Sequence, residues 1–143
     1  MFVQDLMTTD VVTVDVDASL QTAVGRLLEH NVGSVVVVDE DEHPLGILTE
    51  EDALRGGYQA GDPFEAMTVR DVAHRPLVTT KPTATVPHVA NKMANNDVKR
   101  VPVMEDLDLV GIITLTDIVW HLSEIRAEAS KLQHAREKWD PNG

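Results

Sequence analysis

The sequence is written twice, and that repeat constrains the fold more than any single motif. Residues 3–14 read VQDLMTTDVVTV and residues 69–80 read VRDVAHRPLVTT. At an offset of 66, Val3/Val69, Asp5/Asp71, Val12/Val78, Thr13/Thr79 and Ala18/Ala84 are identical. The register persists through Val32/Val98, Val35/Val101 and Val37/Val103. One deletion near residue 107 shortens the offset to 65, and GILTEED (46–52) then falls on GIITLTD (111–117). Two copies of one supersecondary unit follow, each needing a neighbour to cover its apolar face.

Both copies predict the order β-α-β-β-α. Residues 11–14 form a β-branched run. Ser19 is placed to cap a helix whose Leu20, Ala23, Val24, Leu27 and Leu28 recur at helical spacing. Four consecutive valines in 34–39 predict a strand covered on both faces. Residues 39–44 read as its turn and 45–48 as the next strand. Thr49 then caps a helix whose first turn carries Glu50, Glu51 and Asp52, as the helix dipole favours. The second copy repeats this with Thr85, with Val86, Val89, Ala90 and Met93, with strands near 99–104 and 109–113, and with a last helix after Thr114. The expected divisions are 1–60 and 69–122 for the two units, 61–68 for a linker and 123–143 for a C-terminal helical extension and tail. Gly56, Gly57 and Gly61 mark the joint.

Composition narrows the partners. The net charge of −12 argues against nonspecific nucleic-acid binding and against anionic membrane surfaces. The absence of cysteine removes disulfides, thiolate metal sites and a cysteine nucleophile. No apolar run approaches a membrane span, and the acidic opening MFVQDLMTTD lacks the basic start of a signal peptide, so a cytoplasmic protein is expected. Fourteen Asp against five Lys is a composition associated with salt-loving organisms, and a halophilic archaeal source is expected from it. Concentrated salt screens the self-repulsion of such a surface.

The stretches VQDLMTTDVVTV, VGSVVVVDEDEHPLGILTEED and VKRVPVMEDLDLVGIITLTD resemble a tandem pair of CBS domains, the cystathionine-beta-synthase motif module, over residues 1–122. The doubled Gly-apolar-apolar-Thr-x-x-Asp after a valine-rich strand carries most of the specificity. The resemblance implies an α/β (α+β) fold of two units packed sheet to sheet with pseudo-twofold symmetry. Each unit would hold a three-stranded sheet and two helices, and two pairs often form a disk-like dimer. It also implies a regulatory, non-enzymatic sensor of adenosine-containing ligands (AMP, ADP, ATP or S-adenosylmethionine), needing no cofactor. A stand-alone pair would signal to a separate effector protein. A ligand-free dimerisation module and, less favoured, a nucleotide-acting enzyme are the rival readings.

The residues suit such a ligand. A carboxylate at a helix start can accept both ribose hydroxyls, and Asp52 and Asp117 stand three residues after Thr49 and Thr114. The two threonines and the helix-start N–H groups offer donors to a phosphate. Lys99 and Arg100 add charge, and arginine can chelate phosphate oxygens through two N–H bonds. Val11, Val12 and Thr13, or Leu77, Val78 and Thr79, are candidates to line an adenine slot. The same Thr and Asp residues are explained equally well as helix caps, and Lys99 and Arg100 as solvated strand-edge charges. In the CBS family the clefts are built crosswise, which implies two candidate sites. One sets Thr13, Gly33, Ser34 and Val35 against Thr114, Thr116 and Asp117. The other sets Thr79, Lys99, Arg100 and Pro102 against Thr49 and Asp52. The second copy's motif carries two neutral hydroxyls, whereas the first carries the extra acids Glu50 and Glu51. Arg100, near the pseudo-twofold axis, is a candidate for either cleft.

Other chemistry finds no support. Walker and dinucleotide glycine motifs are absent, and no Ser/His/Asp set carries a triad signature. Asp39, Asp41 and Glu50 imitate part of a calcium loop, but Pro44 stands where that loop needs glycine. Six histidines show no metal-type pairing. Beyond the repeat, Ile118, Leu122, Ile125, Ala129, Leu132 and Trp139 approach a heptad stripe, with Arg136 at the missing position. The stripe predicts a helix that either folds back on its own unit or pairs with a second subunit in a homodimer.

Overall fold

The computed structural model describes residues 1–74 and 77–138, with side chains through residue 132. The first copy runs α1 (Val3–Leu6), β1 (Thr13–Asp15), α2 (Leu20–Glu29), β2 (Ser34–Val38), β3 (Pro44–Thr49) and α3 (Glu50–Ala60). After a 3-10 turn (Phe64–Ala66), the second runs α4 (Val69–Val72), α5 (Val86–Asn96), β4 (Arg100–Glu105), β5 (Asp108–Thr114), α6 (Leu115–Trp120) and α7 (Leu122–Lys138). The long helices start where the sequence places their caps. Ser19 Oγ accepts from Thr22 N at 3.1 Å and Thr85 Oγ1 from His88 N at 3.3 Å. A cap of this kind contributes about 1 kcal/mol.

The repeat copy and the packing unit differ, because the short helices are exchanged. The first core comprises Val14, Val16, Leu20, Ala23, Leu27, Val35, Val37, Leu48 and Ala53, and it is completed by Val69 from the second copy. The second holds Val86, Val89, Met93, Val101, Val103, Ile113 and Ile118, and takes Val3 and Leu6 from the first. Matching bonds fix both exchanges, Val3 N to Ala84 O at 2.8 Å and Val69 N to Ala18 O at 3.0 Å. A four-residue helix cannot bury its own apolar side, so it borrows a neighbouring core. Arg70 of α4 donates to Asp17 Oδ1 at 2.7 Å, and that bond raises the arginine's pKa.

The first sheet has order β1-β2-β3, with β1 parallel and β3 antiparallel to β2. Val35 and Val37 enter the first core, while Val36 on the other face is also fully buried, so β2 is covered on both sides. The second sheet has two regular strands, β4-β5, rather than three. Thr80 stands in for the third with one parallel bridge to Val103. The exchanged segments extend both sheets, His74 bridging Ile47 on β3 and Thr8 bridging Ile112 on β5.

Two other expectations change. Gly56 and Gly57, read as marking the joint, lie inside α3, which ends at Gly61 with φ +68°. They allow close approach: a Cβ would meet Val72 Cγ1 at 2.7 Å at the first and Phe64 Cε1 at 2.6 Å at the second. The final helix is also broken. α6 stops at His121 (φ −101°, ψ 12°) before α7 begins, so no single helix carries the whole heptad stripe. Ile118 is buried in the second core and Ile125 packs against it, while Leu122, Ala129 and Leu132 are exposed. Trp139 lies outside the described residues, as does the side chain of Arg136.

Candidate functional site

Two clefts lie where the copies meet. β3 and β5 each end at a threonine that opens a reciprocal cap. Thr49 Oγ1 accepts from Asp52 N at 3.1 Å, and Asp52 Oδ2 accepts from Thr49 N at 3.0 Å. Thr114 Oγ1 accepts from Asp117 N at 3.1 Å, and Asp117 Oδ2 accepts from Thr114 N at 2.9 Å. The capping explanation of both motifs is therefore correct as far as it goes. It also alters the expected anion chemistry. Asp52 N–H and Asp117 N–H are engaged in the caps, and the first-turn N–H groups of Glu50 and Leu115 donate to Gly33 O and Lys99 O at 3.1 and 2.8 Å. These four N–H groups are not free for a phosphate, which leaves the second-position N–H groups of Glu51 and Thr116 and the side chains.

Each cap leaves one carboxylate oxygen uncommitted by backbone. Asp52 Oδ1 faces His74 Nδ1 at 3.8 Å, and the Asp52 side chain is only 10% exposed. Asp117 Oδ1 has no hydrogen-bond or ion-pair partner among the described residues. The hydroxyls of Thr49 and Thr114 accept in the caps and retain a proton to donate.

The larger cleft, about 560 Å³, is lined by Val11, Val12, Gly33 and Ser34 of the first copy and by Arg100, Thr114, Thr116 and Asp117 of the second. Thr8, Asp10, Val32, Lys99, Ile112, Leu115 and Val119 complete it. The second, about 520 Å³, brings Thr49, Glu50, Glu51, Asp52, Arg55 and His74 against Asp97, Val98, Lys99 and Arg100, with Gly33 and Ile47. The crosswise pairing thus unites Gly33 and Ser34 with Thr114, Thr116 and Asp117, and Lys99 and Arg100 with Thr49 and Asp52.

Six expected residues lie elsewhere. Val35 is fully buried in the first core, and Pro102 is buried within β4. Thr13 lies in β1, paired with Val36, and does not line the cleft that Val11 and Val12 reach. The carbonyl of Thr79 accepts from Lys92 Nζ at 2.8 Å, and neither Leu77, Val78 nor Thr79 lines the second cleft. Conversely, Thr8, Asp10 and His74 were not foreseen, because they arrive on the exchanged segments. Their only sequence signal is their place beside the repeated VxD stretches.

The clefts differ electrostatically. The larger contains two carboxylates, Asp117 of its Thr-x-x-Asp turn and Asp10, beside Thr8, Thr114 and Thr116. The smaller carries Glu50, Glu51, Asp52 and Asp97, and its Arg55 is paired with Glu51. Asp39, Asp41 and His43 approach one another at the β2–β3 turn, with ligand-type atoms within 4.8 Å. There Asp39 Oδ1 accepts from Asp41 N and His43 N, both at 2.9 Å, so turn formation accounts for the cluster. Glu50 does not join it.

Fold and clefts together define a module of two intertwined copies with crevices at the pseudo-twofold axis. The CBS domain family model matches residues 3–57 and 69–124, and the chain belongs to that family. Hypoxic response protein 1 of Mycobacterium tuberculosis is 31% identical over 121 residues, 85% of each chain. The chain also matches protein MJ1404 of Methanocaldococcus jannaschii at 30% identity over 89% of its own length, but spans only 33% of that relative. It spans 58% of MK0525 of Methanopyrus kandleri. Among solved structures, the CBS domain pair of protein MJ0100, in complex with 5′-methylthioadenosine and S-adenosyl-L-methionine, superposes with a TM-score of 0.79. The identity is 28%, over 87% of this chain and 97% of that one. No helix among the described residues is long and apolar enough to cross a membrane.

Proposed function

We propose that this CBS pair is a non-enzymatic sensor that binds an adenosine-containing ligand in the larger cleft and signals to a separate effector protein. One observation carries the reading. Asp117 Oδ1, without a partner among the described residues, shares a cleft with Val11 and Val12, the Thr114 and Thr116 side chains and the Arg100 guanidinium. Those features match ribose, adenine and phosphate in turn. The two ligands of the MJ0100 pair, which both contain adenosine, support the same class.

The larger cleft is the principal site, with Gly33, Ser34, Thr114, Thr116, Asp117 and Arg100 in contact. The smaller, with Thr49, Asp52 and Lys99, binds more weakly because Glu50 and Glu51 repel anions. The chain acts in the cytoplasm as a homodimer. Exposed Leu54 (70%) and Tyr58 (90%) on α3, with Val119 (60%) and Trp120 (79%) on the matching helix α6, support pairing through the modules. The −12 charge with few lysines supports adaptation to a salt-rich cytoplasm, such as that of a halophilic archaeon.

Thermal shift in 1–2 M KCl with AMP, ATP and S-adenosylmethionine tests the binding. A ligand at 100 times its dissociation constant stabilises by about 2.7 kcal/mol. No shift with any of them favours a ligand-free interaction module. Product formed from ATP and a divalent metal favours an enzyme.

A further inference from the structure

The pseudo-symmetry is broken at the axis. Gly33 and Lys99 occupy matching positions, and their carbonyls accept the first N–H of α3 and of α6 at 3.1 and 2.8 Å. The next matching pair is Ser34 and Arg100. Ser34 is buried and short, whereas Arg100 is half-buried and reaches across to Gly33. A Cβ on Gly33 would overlap Arg100 Nη2, so the absence of a side chain there is what admits the guanidinium. Gly33, Lys99 and Arg100 are the residues common to the two clefts. Two sites of equal ancestry thus share a single guanidinium.

That guanidinium is uncommitted. Among the described residues Arg100 forms no ion pair and no side-chain hydrogen bond. A half-buried guanidinium has donors that neighbouring carboxylates would ordinarily satisfy. Arg55, the other arginine lining a cleft, is already held by Glu51. Lys99 is exposed and offers a strongly hydrated point charge rather than a planar fork.

We infer that the two clefts compete for Arg100, so that anionic ligands bound in them antagonise each other while uncharged nucleosides bind independently. The inference rests on the proposed adenosine binding and adds a coupling between its sites. If the guanidinium turns wholly toward one phosphate, the other cleft loses its chelating cation. If it bridges both, two phosphates are drawn together across one charge and repel. Both arrangements weaken the second anion. Adenosine has nothing for Arg100 to chelate, so its two binding events stay uncoupled. The charge state of the occupant of the larger cleft thereby sets which ligand the smaller accepts.

Calorimetry on the full chain with AMP and with adenosine decides it, using wild type, Asp117→Asn, Arg100→Ala and the double variant. Asp117→Asn weakens the larger cleft, so AMP then meets the smaller cleft with Arg100 free. AMP affinity for the smaller cleft is expected to rise at least fivefold over the second event in wild type, within the usual range of coupling between sites. Adenosine affinity there is expected to stay unchanged. In the Arg100→Ala background, Asp117→Asn is expected to leave AMP binding at the smaller cleft unaltered. Gly33→Ala, which pushes the guanidinium's far end aside, is expected to weaken AMP in the same direction as Arg100→Ala but by less. Two AMP molecules binding, with Asp117→Asn weakening the larger cleft but leaving AMP affinity at the smaller one unchanged, overturn the coupling and leave the adenosine reading standing. Failure of adenosine and AMP to bind at all overturns both.

Discussion

Replacing Asp117 by asparagine separates the two jobs that its carboxylate does. One oxygen holds Thr114 N at 2.9 Å, and an amide oxygen can still accept that bond. The helix cap therefore persists, and the unliganded melting point should move by no more than a surface substitution allows, within about 0.5 kcal/mol. What asparagine cannot supply is the charged second oxygen. Charge-assisted hydrogen bonds contribute about 1.5–3 kcal/mol against about 0.5–1.5 kcal/mol for neutral ones. Losing that difference toward one ribose weakens binding roughly tenfold, the equivalent of about 1.4 kcal/mol. Asp52→Asn should cost less, because Asp52 Oδ1 already faces His74 at 3.8 Å and sits beside Glu50 and Glu51. Isothermal calorimetry with adenosine measures both variants without the phosphate term. Equal affinity in wild type and Asp117→Asn would refute the ribose role, and the reverse ranking of the two aspartates would assign the principal site to the other cleft.

Salt provides a second check: the unfolding midpoint should climb between 0.1 and 2 M KCl as the screening length falls from about 10 Å toward 3 Å, and a flat response would remove the salt-adapted reading. Gly25→Ala should stabilise by up to about 1 kcal/mol, since nothing lies within 4 Å of the added methyl in α2. Gly56→Ala should instead cost about 1–3 kcal/mol through its 2.7 Å approach to Val72, and equal midpoints would contradict the packing of α3 on α4. Val69→Ala should cost about 2 kcal/mol although the residue belongs to the other repeat copy, because its side chain is fully buried in the first core. Light scattering should return a dimer of the 15.7 kDa chain, retained after truncation behind Ser123; a monomer at micromolar concentration would contradict it.

Local rules were legible without coordinates. Hydroxyl caps at Ser19, Thr49, Thr85 and Thr114 depend on the few residues after them, and all four accept the expected backbone N–H. The valine run announced a strand buried on both faces, because β-branched residues with no polar alternation fit nowhere else. The repeat register, kept over both halves, was enough to pair Gly33 and Ser34 with the opposite Thr-x-x-Asp turn through the resemblance to CBS domains. Tertiary structure alone decided the rest. The exchange of α1 and α4 depends on which core has a vacancy of the right shape, and a four-residue apolar segment carries no address. Thr8, Asp10 and His74 reach the clefts by that exchange, while Val35 turns away from Ser34 by strand alternation, and Pro102, on the same face of β4 as Arg100, is buried one step further along the strand. The break at His121 divided a stripe that periodicity reads as continuous. The resemblance placed Gly33 in a cleft but gave no reason for its lacking a side chain. Only the position of Arg100, folded against it across the axis, shows that a missing side chain in one copy makes room for a charge from the other.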